Sequence, residues 1–243
     1  MLDKKELRFF GRRKGKTIKT SKQQLIDELL PKLKPSFESK EVGKVICSDF
    51  FAFHPKECWL EIGFGGGEHV ADLALKYKEV GFFAAEPFIN GVASLLAHLN
   101  GSHEGKTTYT GLDENRVDNV RIWDDDVREV FPYFKDGSFQ KVFLLYPDPW
   151  PKARHAERRF TNQINQRNLY RLMSEEALFY VATDVKEYAE WTLEQVQALD
   201  IFEQVNKDTS VPPEDWVPTR YEKKGILAGR KPIYLVFQKK KHK

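Results

Sequence analysis

Residues 59–68 read Trp-Leu-Glu-Ile-Gly-Phe-Gly-Gly-Gly-Glu, and this stretch decides the fold. The apolar residues before Gly63 are typical of a buried strand, and an amphipathic helical pattern begins directly after the glycines. Glycine adopts positive φ readily and lets a ligand approach the backbone closely. The stretch therefore predicts a strand, a ligand-binding turn and a helix in succession.

The same alternation of apolar runs and amphipathic segments continues along the chain. Strands are predicted at residues 58–62, 80–85, 119–123, 139–146 and 177–182, and helices at 22–33, 68–78, 88–100, 162–175 and 185–198. The uninterrupted apolar run 142–146 is typical of a strand buried on both faces of a parallel sheet. This order predicts an α/β fold with a mostly parallel, doubly wound sheet, which residues 233–237 would complete as a late antiparallel strand.

Charge is distributed unevenly, although the net charge is only +3. Residues 1–24 contain nine Lys or Arg and two Asp or Glu, and residues 239–243 add four Lys, so the part between them is acidic. Two basic ends favour a polyanionic partner. We therefore expect a basic flexible arm at residues 1–24 and a single domain at residues 25–243 that ends in a basic tail.

Several classes of protein are disfavoured. No apolar run approaches the ~18 residues that a membrane span needs, and the N-terminus lacks an apolar signal core, so a cytoplasmic protein is expected. Cys47 and Cys58 have neither metal-ligand spacing nor a disulfide framework, and the six histidines show no ligand spacing. No metal is expected, and no pattern decides between a monomer and a homodimer.

The glycine turn also indicates the kind of cofactor. A dinucleotide site needs a third glycine where this chain has Glu68, whose charge would repel a pyrophosphate at the helix N-terminus. A P-loop is excluded because no Gly-Lys-Ser/Thr follows. Glu61 with the glycines after it instead resembles the first motif of Rossmann-like methyltransferases. Their cofactor, S-adenosylmethionine (SAM), carries sulfonium and ammonium groups and no phosphate.

Acidic residues near the ends of three strands extend this interpretation. Glu61 would lie beside the cationic methionyl part, and Glu86, about 20 residues beyond the glycines, is placed to accept hydrogen bonds from ribose hydroxyls. Asp126 is preferred for the adenine edge, with Asp125 as the alternative. The predicted cofactor residues are Glu61, Gly63, Gly65, Glu86 and Asp126.

The loop after the buried strand reads Tyr-Pro-Asp-Pro-Trp-Pro-Lys-Ala-Arg-His-Ala-Glu-Arg-Arg at residues 146–159. Ligands of an open α/β sheet bind where strands end, and prolines on both sides of Asp148 restrict its backbone. Trp150 could stack on a base, and the cations could meet phosphates. The loop predicts a catalytic carboxylate at Asp148 and a basic RNA-facing strip that consists of Lys152, Arg154, His155, Arg158 and Arg159.

This loop is similar to the signature of the bacterial tRNA (guanine-N7-)-methyltransferase family. Residues 182–184 (Ala-Thr-Asp) and 219–222 (Thr-Arg-Tyr-Glu) agree with that family in order, and the resemblance covers residues 8–238. It implies a SAM donor, whose binding site would include Asp148 as well as Glu61, Glu86 and Asp126. As acceptor it implies N7 of a guanosine in the tRNA variable loop (m7G46). The substrate contacts that it implies are Lys152, Asp184, Thr219, Arg220, Tyr221 and Glu222. Val127 and the triple aspartate ending at Asp126 depart from some relatives, so the alternative of Asp125 stays open.

Three other functions are weighed against this one. A methyltransferase of an exocyclic base amine in RNA or DNA also has a proline-flanked polar residue after this strand, but its loop usually reads Asn/Asp-Pro-Pro-aromatic. A non-catalytic RNA-binding protein of the same fold need not keep Glu61, Glu86 and Asp148 together. A nucleotide-dependent dehydrogenase is disfavoured by Glu68.

Overall fold

The computed structural model describes residues 9–101 and 118–241, and the chain divides into two compact units, Met1–Phe134 (unit 1) and Lys135–Lys243 (unit 2). In unit 1 the described elements are α1 (Thr20–Glu28), α2 (Leu30–Leu33), β1 (Glu57–Ile62), α3 (Glu68–Lys76), β2 (Val80–Ala85), α4 (Ile89–Leu99) and β3 (Val120–Trp123). In unit 2 they are β4 (Phe139–Leu145), α5 (Gln163–Leu172), β5 (Met173–Thr183), α6 (Lys186–Leu199), β6 (Phe202–Gln204), α7 (Arg220–Leu227) and β7 (Ile233–Lys239).

Unit 1 contains three parallel strands in the order β3-β2-β1. Every residue of β2 is buried, as expected of a strand covered on both faces. Gly67 leads into α3 with a φ of 79°, and a Cβ at this position would lie 2.6 Å from the Leu95 Cβ of α4. Glycine is therefore required here both by the backbone conformation and by the close approach of α4.

The strands of unit 2 are in the order β4-β5-β7-β6. β5 runs parallel to β4, whereas β7 is antiparallel to both β5 and β6. The last four residues of β4, Val142–Leu145, are all buried. The loop that carries Asp148 therefore leaves directly from the core of this unit, and Asp184 follows the end of the neighbouring strand β5.

The predicted fold class is confirmed, because the strands are mostly parallel and the late strand is antiparallel. The strands predicted at 58–62, 80–85, 119–123 and 139–146 match β1 to β4 to within one residue at each end. The helices predicted at 68–78, 88–100 and 185–198 match α3, α4 and α6 to within two residues. Apolar periodicity thus located most of the elements.

The helix predicted at residues 22–33 is in fact two helices. α1 ends at Glu28, and α2 begins at Leu30 with Pro31 in its first turn. Proline has no N–H to continue the hydrogen bonds of α1, and its ring clashes with the preceding turn. The apolar face of the prediction is nevertheless present, since Leu25, Leu29, Leu30 and Leu33 are buried.

Differences also occur in unit 2. The helix predicted at 162–175 ends at Leu172, and β5 begins at Met173, four residues before the predicted start of this strand at residue 177. β6 and α7 have no counterpart in the prediction. β6 has only three residues, and α7 contains Gly225 within a stretch rich in proline and charge. Neither segment therefore shows a clear periodicity of apolar residues.

The stretch before α1 is bonded to the start of α4. The Ile89 N–H donates to the Arg13 carbonyl (3.0 Å), the Gly15 N–H donates to Asn90 Oδ1 (2.8 Å), and Asn90 Nδ2 donates to the Lys16 carbonyl (2.7 Å). Residues 1–8 lie outside the described residues. The division into an arm at 1–24 and a domain at 25–243 stays a prediction, and residues 13–16 are the part of the arm with these contacts.

Within residues 9–101 and 118–241, no helix is long and apolar enough to cross a membrane. The same residues hold no group of three or more His, Cys, Asp or Glu that could bind a metal ion. Cys47 and Cys58 are both buried, and neither forms a disulfide. Burial and the neighbouring Cys58 raise the pKa of the Cys47 thiol, which therefore stays protonated and unreactive.

Candidate active site

β1 carries Glu61 to the start of the glycine turn. Its side chain is only 3% exposed, and Oε2 lies 2.8 Å from Nδ1 of His69 on α3. Because an ionised carboxylate can only accept hydrogen bonds, the Nδ1–H of His69 donates. Oε1 is buried and has no hydrogen-bond partner among the described residues. An unsatisfied buried oxygen is costly, and a cationic ligand at the turn would remove that cost.

Glu86 follows β2 and connects the glycine turn to α4. Its Oε2 accepts a hydrogen bond from the Gly65 N–H (2.7 Å), and its Oε1 accepts one from the Phe88 N–H (2.8 Å). A carboxylate has about four lone-pair sites, so it can bond to backbone N–H groups and to a ligand hydroxyl at the same time. Gly91 of α4 packs so closely that a Cβ there would overlap the Gly65 carbonyl. Glu86 therefore fixes the shape of the turn and still has acceptor capacity for a ligand.

Both candidates for the adenine contact have arginine partners. Asp126 is 5% exposed, caps a short 3₁₀ turn, and pairs with Arg128 Nη2 at 2.5 Å. Asp125, whose side chain is 34% exposed, pairs with Arg13 Nη1 at 2.5 Å and accepts from the Asp126 N–H at 2.7 Å. Arg13 belongs to the predicted arm, so the arm reaches this corner of unit 1. The adenine contact at Asp126 or Asp125 stays a prediction.

The loop after β4 presents Asp148 to solvent. Tyr146 and Trp150 on either side of it have φ values of 52° and 41°, which residues other than glycine adopt rarely. In the part of the chain that the structure describes, no group donates a hydrogen bond to the Asp148 carboxylate or pairs with it. A carboxylate that is held by a restricted backbone and left without a partner is available to a ligand.

The basic strip after this loop forms a 3₁₀ turn, Ala153–Arg158. The His155 ring meets the Trp150 ring edge-on at 5.9 Å, and the Arg158 guanidinium lies over Trp150 at 5.2 Å. Lys152 and Arg154 are exposed. Desolvation and the positive charges of Arg158, Arg154 and Lys152 lower the pKa of His155, so it is neutral near pH 7.

Arg159 is placed differently from the rest of the strip. It is 7% exposed, its Nε donates to the Pro149 carbonyl at 2.9 Å, and its Nη2 donates to the Trp150 carbonyl at 3.3 Å. The guanidinium therefore points towards the loop and away from solvent. This position gives no support to the RNA contact that the sequence predicts for Arg159.

Asp184 follows β5 and is held by α7 and the turn beyond it. Its side chain is 13% exposed, and Oδ2 accepts from Arg230 Nε at 2.6 Å. Gly225 of α7 packs so closely against this carboxylate that a Cβ would overlap Oδ2. The predicted substrate contact at Asp184 is thus a carboxylate of fixed orientation.

The predicted segment 219–222 begins α7, and its residues have different surroundings. Thr219 is buried and caps the helix, because its Oγ1 accepts from the Glu222 N–H at 3.2 Å. Arg220 is half-buried, and Tyr221 is 46% exposed. Only Arg220 and Tyr221 are therefore open to a large substrate in this structure.

Glu222 is, with Thr219, one of two buried members of this segment. Its Oε2 accepts from Trp216 Nε1 (2.9 Å) and its Oε1 from the Tyr234 hydroxyl (2.8 Å). The Tyr146 hydroxyl is buried nearby without making a hydrogen bond in the described residues. Burial, Glu222 and, more weakly, Asp184 raise the pKa of Tyr146, which places all three groups in one neighbourhood.

The structure therefore brings some of the predicted residues together within each unit. Unit 1 collects Glu61, Glu86 and the glycine turn, and unit 2 collects Asp184 and Glu222 around Tyr146. The residues that support them and that sequence reasoning missed are His69, Arg128, Trp216, Arg230 and Tyr234. His69 could have been suspected from its place beside Glu68 at the start of a helix. The other four gave no signal, because an arginine at such a position also fits a solvated surface and an aromatic residue also fits a core.

The chain matches known proteins over most of its length. A family described as "Putative methyltransferase" matches residues 55–235. The chain is 40% identical to tRNA (guanine-N(7)-)-methyltransferase of Rhodospirillum rubrum, over 97% of this chain and 89% of that protein. It is 41% identical to tRNA (guanine-N(7)-)-methyltransferase of Paracoccus denitrificans, over 96% of this chain and 94% of that protein. The chain belongs to the tRNA (guanine-N(7)-)-methyltransferase family.

The fold of this family member is also found among solved structures. The crystal structure of 16S rRNA methyltransferase KamB has a TM-score of 0.54 at 11% identity, over 83% of this chain and 99% of that chain. At this identity the likeness shows the fold alone. Family membership confirms the predicted enzyme class, a methyltransferase that uses SAM.

Proposed function

We propose that this family member transfers a methyl group from SAM to N7 of a guanosine in tRNA, and that the acceptor is the variable-loop guanosine that becomes m7G46. The observation that carries the proposal is the loop after β4, where Asp148 is exposed and has no partner among the described residues. The names of the curated relatives agree with guanine N7 in tRNA as the acceptor. An enzyme with this substrate would work in the cytoplasm.

The glycine turn of unit 1 fits SAM. Glu61 Oε1 is a buried oxygen without a described partner, which suits the ammonium or sulfonium group of the methionyl part. Glu86 has remaining acceptor sites for ribose hydroxyls, and Asp126 or Asp125 would meet the adenine edge. When bound, SAM supplies a methyl group attached to a positively charged sulfur.

The acceptor needs positioning and charge stabilisation, because N7 of guanine has a lone pair and no proton. No general base has to act on it. Positive charge develops on the purine as N7 accepts the methyl group, and a fixed carboxylate near the ring stabilises that charge. We assign this role to Asp148, and assign to Asp184 the N1–H and amino donors of the guanine edge. Alignment of N7 with the methyl group supplies much of the remaining rate.

The tRNA backbone would be bound by Lys and Arg side chains that do not contact the guanosine or SAM. Lys152 and Arg154 are exposed beside the Asp148 loop, and residues 1–24 carry nine Lys or Arg. Phosphate contacts supply affinity and register, while the base edge supplies specificity. We therefore propose that the arm and the strip bind phosphates and that Asp148, Asp184, Arg220 and Tyr221 bind the guanosine.

Transcripts that contain 7-deazaguanosine in place of guanosine test the acceptor atom. Methyl label from SAM should enter an ordinary tRNA transcript but not the 7-deaza transcript, in which C–H replaces N7. A methyltransferase of an exocyclic amine would label both transcripts, and a non-catalytic RNA-binding protein would label neither. Binding of each transcript, measured by filter retention, controls for altered RNA folding. Label in the 7-deaza transcript would contradict the proposal.

A further inference from the structure

Arg158 and Arg159 are neighbours in sequence with opposite surroundings. Arg158 is half-buried and lies over the face of Trp150, as an arginine that also reaches solvent can do. Arg159 is 7% exposed and donates hydrogen bonds to the carbonyls of Pro149 and Trp150. The two arginines therefore differ in whether they can meet a phosphate at all.

The composition of the loop explains why an arginine is needed at this place. Residues 147–151 include three prolines, and proline has no N–H with which to bond the loop to the rest of the unit. The loop can be tied down mainly through its carbonyl oxygens, which need donors from elsewhere. Arg159 supplies two such donors, one to each of two consecutive carbonyls directly after Asp148.

The surroundings of Arg159 suit a cation that contacts other groups of the protein and not a ligand. No carboxylate among the described residues pairs with it, and its guanidinium lies 5.1 Å from the Trp191 ring centroid and 5.9 Å from that of Tyr188 on α6. Aromatic faces and carbonyl oxygens are the partners that a weakly hydrated guanidinium accepts in place of water. Tyr188 is fully buried, so this side of the contact belongs to the core.

Asp148 belongs to the same neighbourhood. Its charge contributes to raising the pKa of Tyr188 to about 12, although burial is the main cause. Trp150, whose carbonyl Arg159 holds, has a φ of 41° that only surrounding contacts can maintain. Loss of the Arg159 bonds would therefore free a strained backbone two residues from the carboxylate.

We propose that Arg159 is a positioning residue that holds the Pro-Asp-Pro-Trp loop, residues 147–150, and thereby sets the place of Asp148 for methyl transfer. This role rests on the proposed function, in which Asp148 stabilises charge on the guanine. It replaces the phosphate contact that the sequence predicts for Arg159. Arg158, one residue earlier, keeps the phosphate role.

The test compares Arg159→Lys and Arg159→Gln with Arg158→Ala. Lysine keeps the charge without the planar fork, and glutamine keeps a planar donor without the charge. Steady-state methylation of unmodified tRNA is measured for each variant that retains the wild-type melting transition. We expect both Arg159 variants to lower kcat by about tenfold or more, since misplacement of a catalytic group by about 1 Å can cost a hundredfold. Their KM for tRNA and the salt dependence of tRNA binding should stay near wild type.

Arg158→Ala should show the reverse pattern, with a raised KM for tRNA, a flatter salt dependence and a kcat near wild type. An Arg159 variant that folds and keeps the wild-type kcat would overturn the proposal. So would an Arg159 variant whose defect, like that of Arg158→Ala, is confined to KM and the salt dependence. Failure of the proposed function itself is distinguishable, because the wild-type protein would then form no 7-methylguanosine.

Discussion

At the scale of single residues, two carboxylates acquire different properties from their surroundings. Glu61 is buried, shares one oxygen with His69 and keeps the other without a described partner. Asp148 is exposed and has no described partner at all. The first arrangement suits a ligand that already carries a positive charge. The second suits interaction with a charge that develops during the reaction. The sequence predicts both residues, because each lies at or just beyond the end of an apolar strand.

Glu61→Gln tests the assignment of the buried oxygen. The substitution keeps the size of the side chain but removes its negative charge, so SAM affinity should fall by about 1.5–3 kcal/mol, as for a lost hydrogen bond to a charged group. Isothermal titration calorimetry with SAM measures the change. Asp72→Asn on the exposed face of α3 is the matched control and should bind like wild type. Wild-type affinity in folded Glu61→Gln would remove Glu61 from the cofactor site.

Asp148→Asn tests whether charge stabilisation is part of the mechanism. The variant keeps the shape of the side chain and loses its charge, so kcat should fall on the order of a hundredfold, comparable to removal of one group that stabilises transition-state charge. The fold should be unchanged, because the Asp148 side chain is exposed and makes no described hydrogen bond or ion pair. Glu157→Gln is the control, because it removes the negative charge of an exposed side chain in the adjacent turn. Turnover of Asp148→Asn at the wild-type rate would show that the carboxylate charge is not used.

At the scale of elements, α7 shows what the sequence could not predict. The helix begins at a buried Thr219 cap and places Gly225 against Asp184, but a helix of eight residues with a central glycine has little apolar periodicity. The break between α1 and α2 was hidden for the opposite reason, because the apolar face continues across Pro31. Strands β1, β2 and β4 were predictable since each contains an uninterrupted run of at least four buried residues.

Gly225→Ala tests the contact between α7 and Asp184. Alanine in a helix interior normally gains about 1 kcal/mol over glycine, so the substitution should not destabilise α7 by itself. Its Cβ would overlap Asp184 Oδ2, so the carboxylate must move, and kcat/KM for tRNA should fall about tenfold or more. SAM affinity should stay at the wild-type value. Leu227→Ala, at a side chain that is 88% exposed, is the control. An unchanged kcat/KM in Gly225→Ala would show that the orientation of Asp184 is unimportant.

At the scale of the whole molecule, the sequence predicts the basic ends of the chain. It does not predict which residues pair with the site carboxylates. Charge counts along the sequence are sufficient to expect a polyanionic partner. The ion pair of Arg13 with Asp125 and the bonds of residues 13–16 to α4 depend on contacts between segments more than 70 residues apart. No local pattern encodes such contacts, so part of the arm is packed where sequence reasoning expects flexibility.

Two truncations separate the phosphate contacts of the arm from its packing. Removal of residues 1–12 and removal of residues 1–19 should both weaken tRNA binding and flatten its salt dependence, by roughly 0.7–0.9 log units per lost phosphate contact. Only the longer truncation should lower Tm, because it removes hydrogen bonds to α4 that are worth about 0.5–1.5 kcal/mol each. Equal Tm values for the two truncated proteins would contradict the packing role of residues 13–16. Unchanged salt dependence in both would contradict the phosphate role.

The most direct test of the account is the identity and place of the methylated nucleoside. Unmodified tRNA and a second tRNA with adenosine in place of the variable-loop guanosine are each incubated with methyl-labelled SAM and the wild-type protein, then digested and analysed by chromatography and mass spectrometry. We expect one methyl group per tRNA, recovered as 7-methylguanosine from the first tRNA and absent from the second. Label in any other nucleoside, or equal labelling of the two tRNAs, would contradict it.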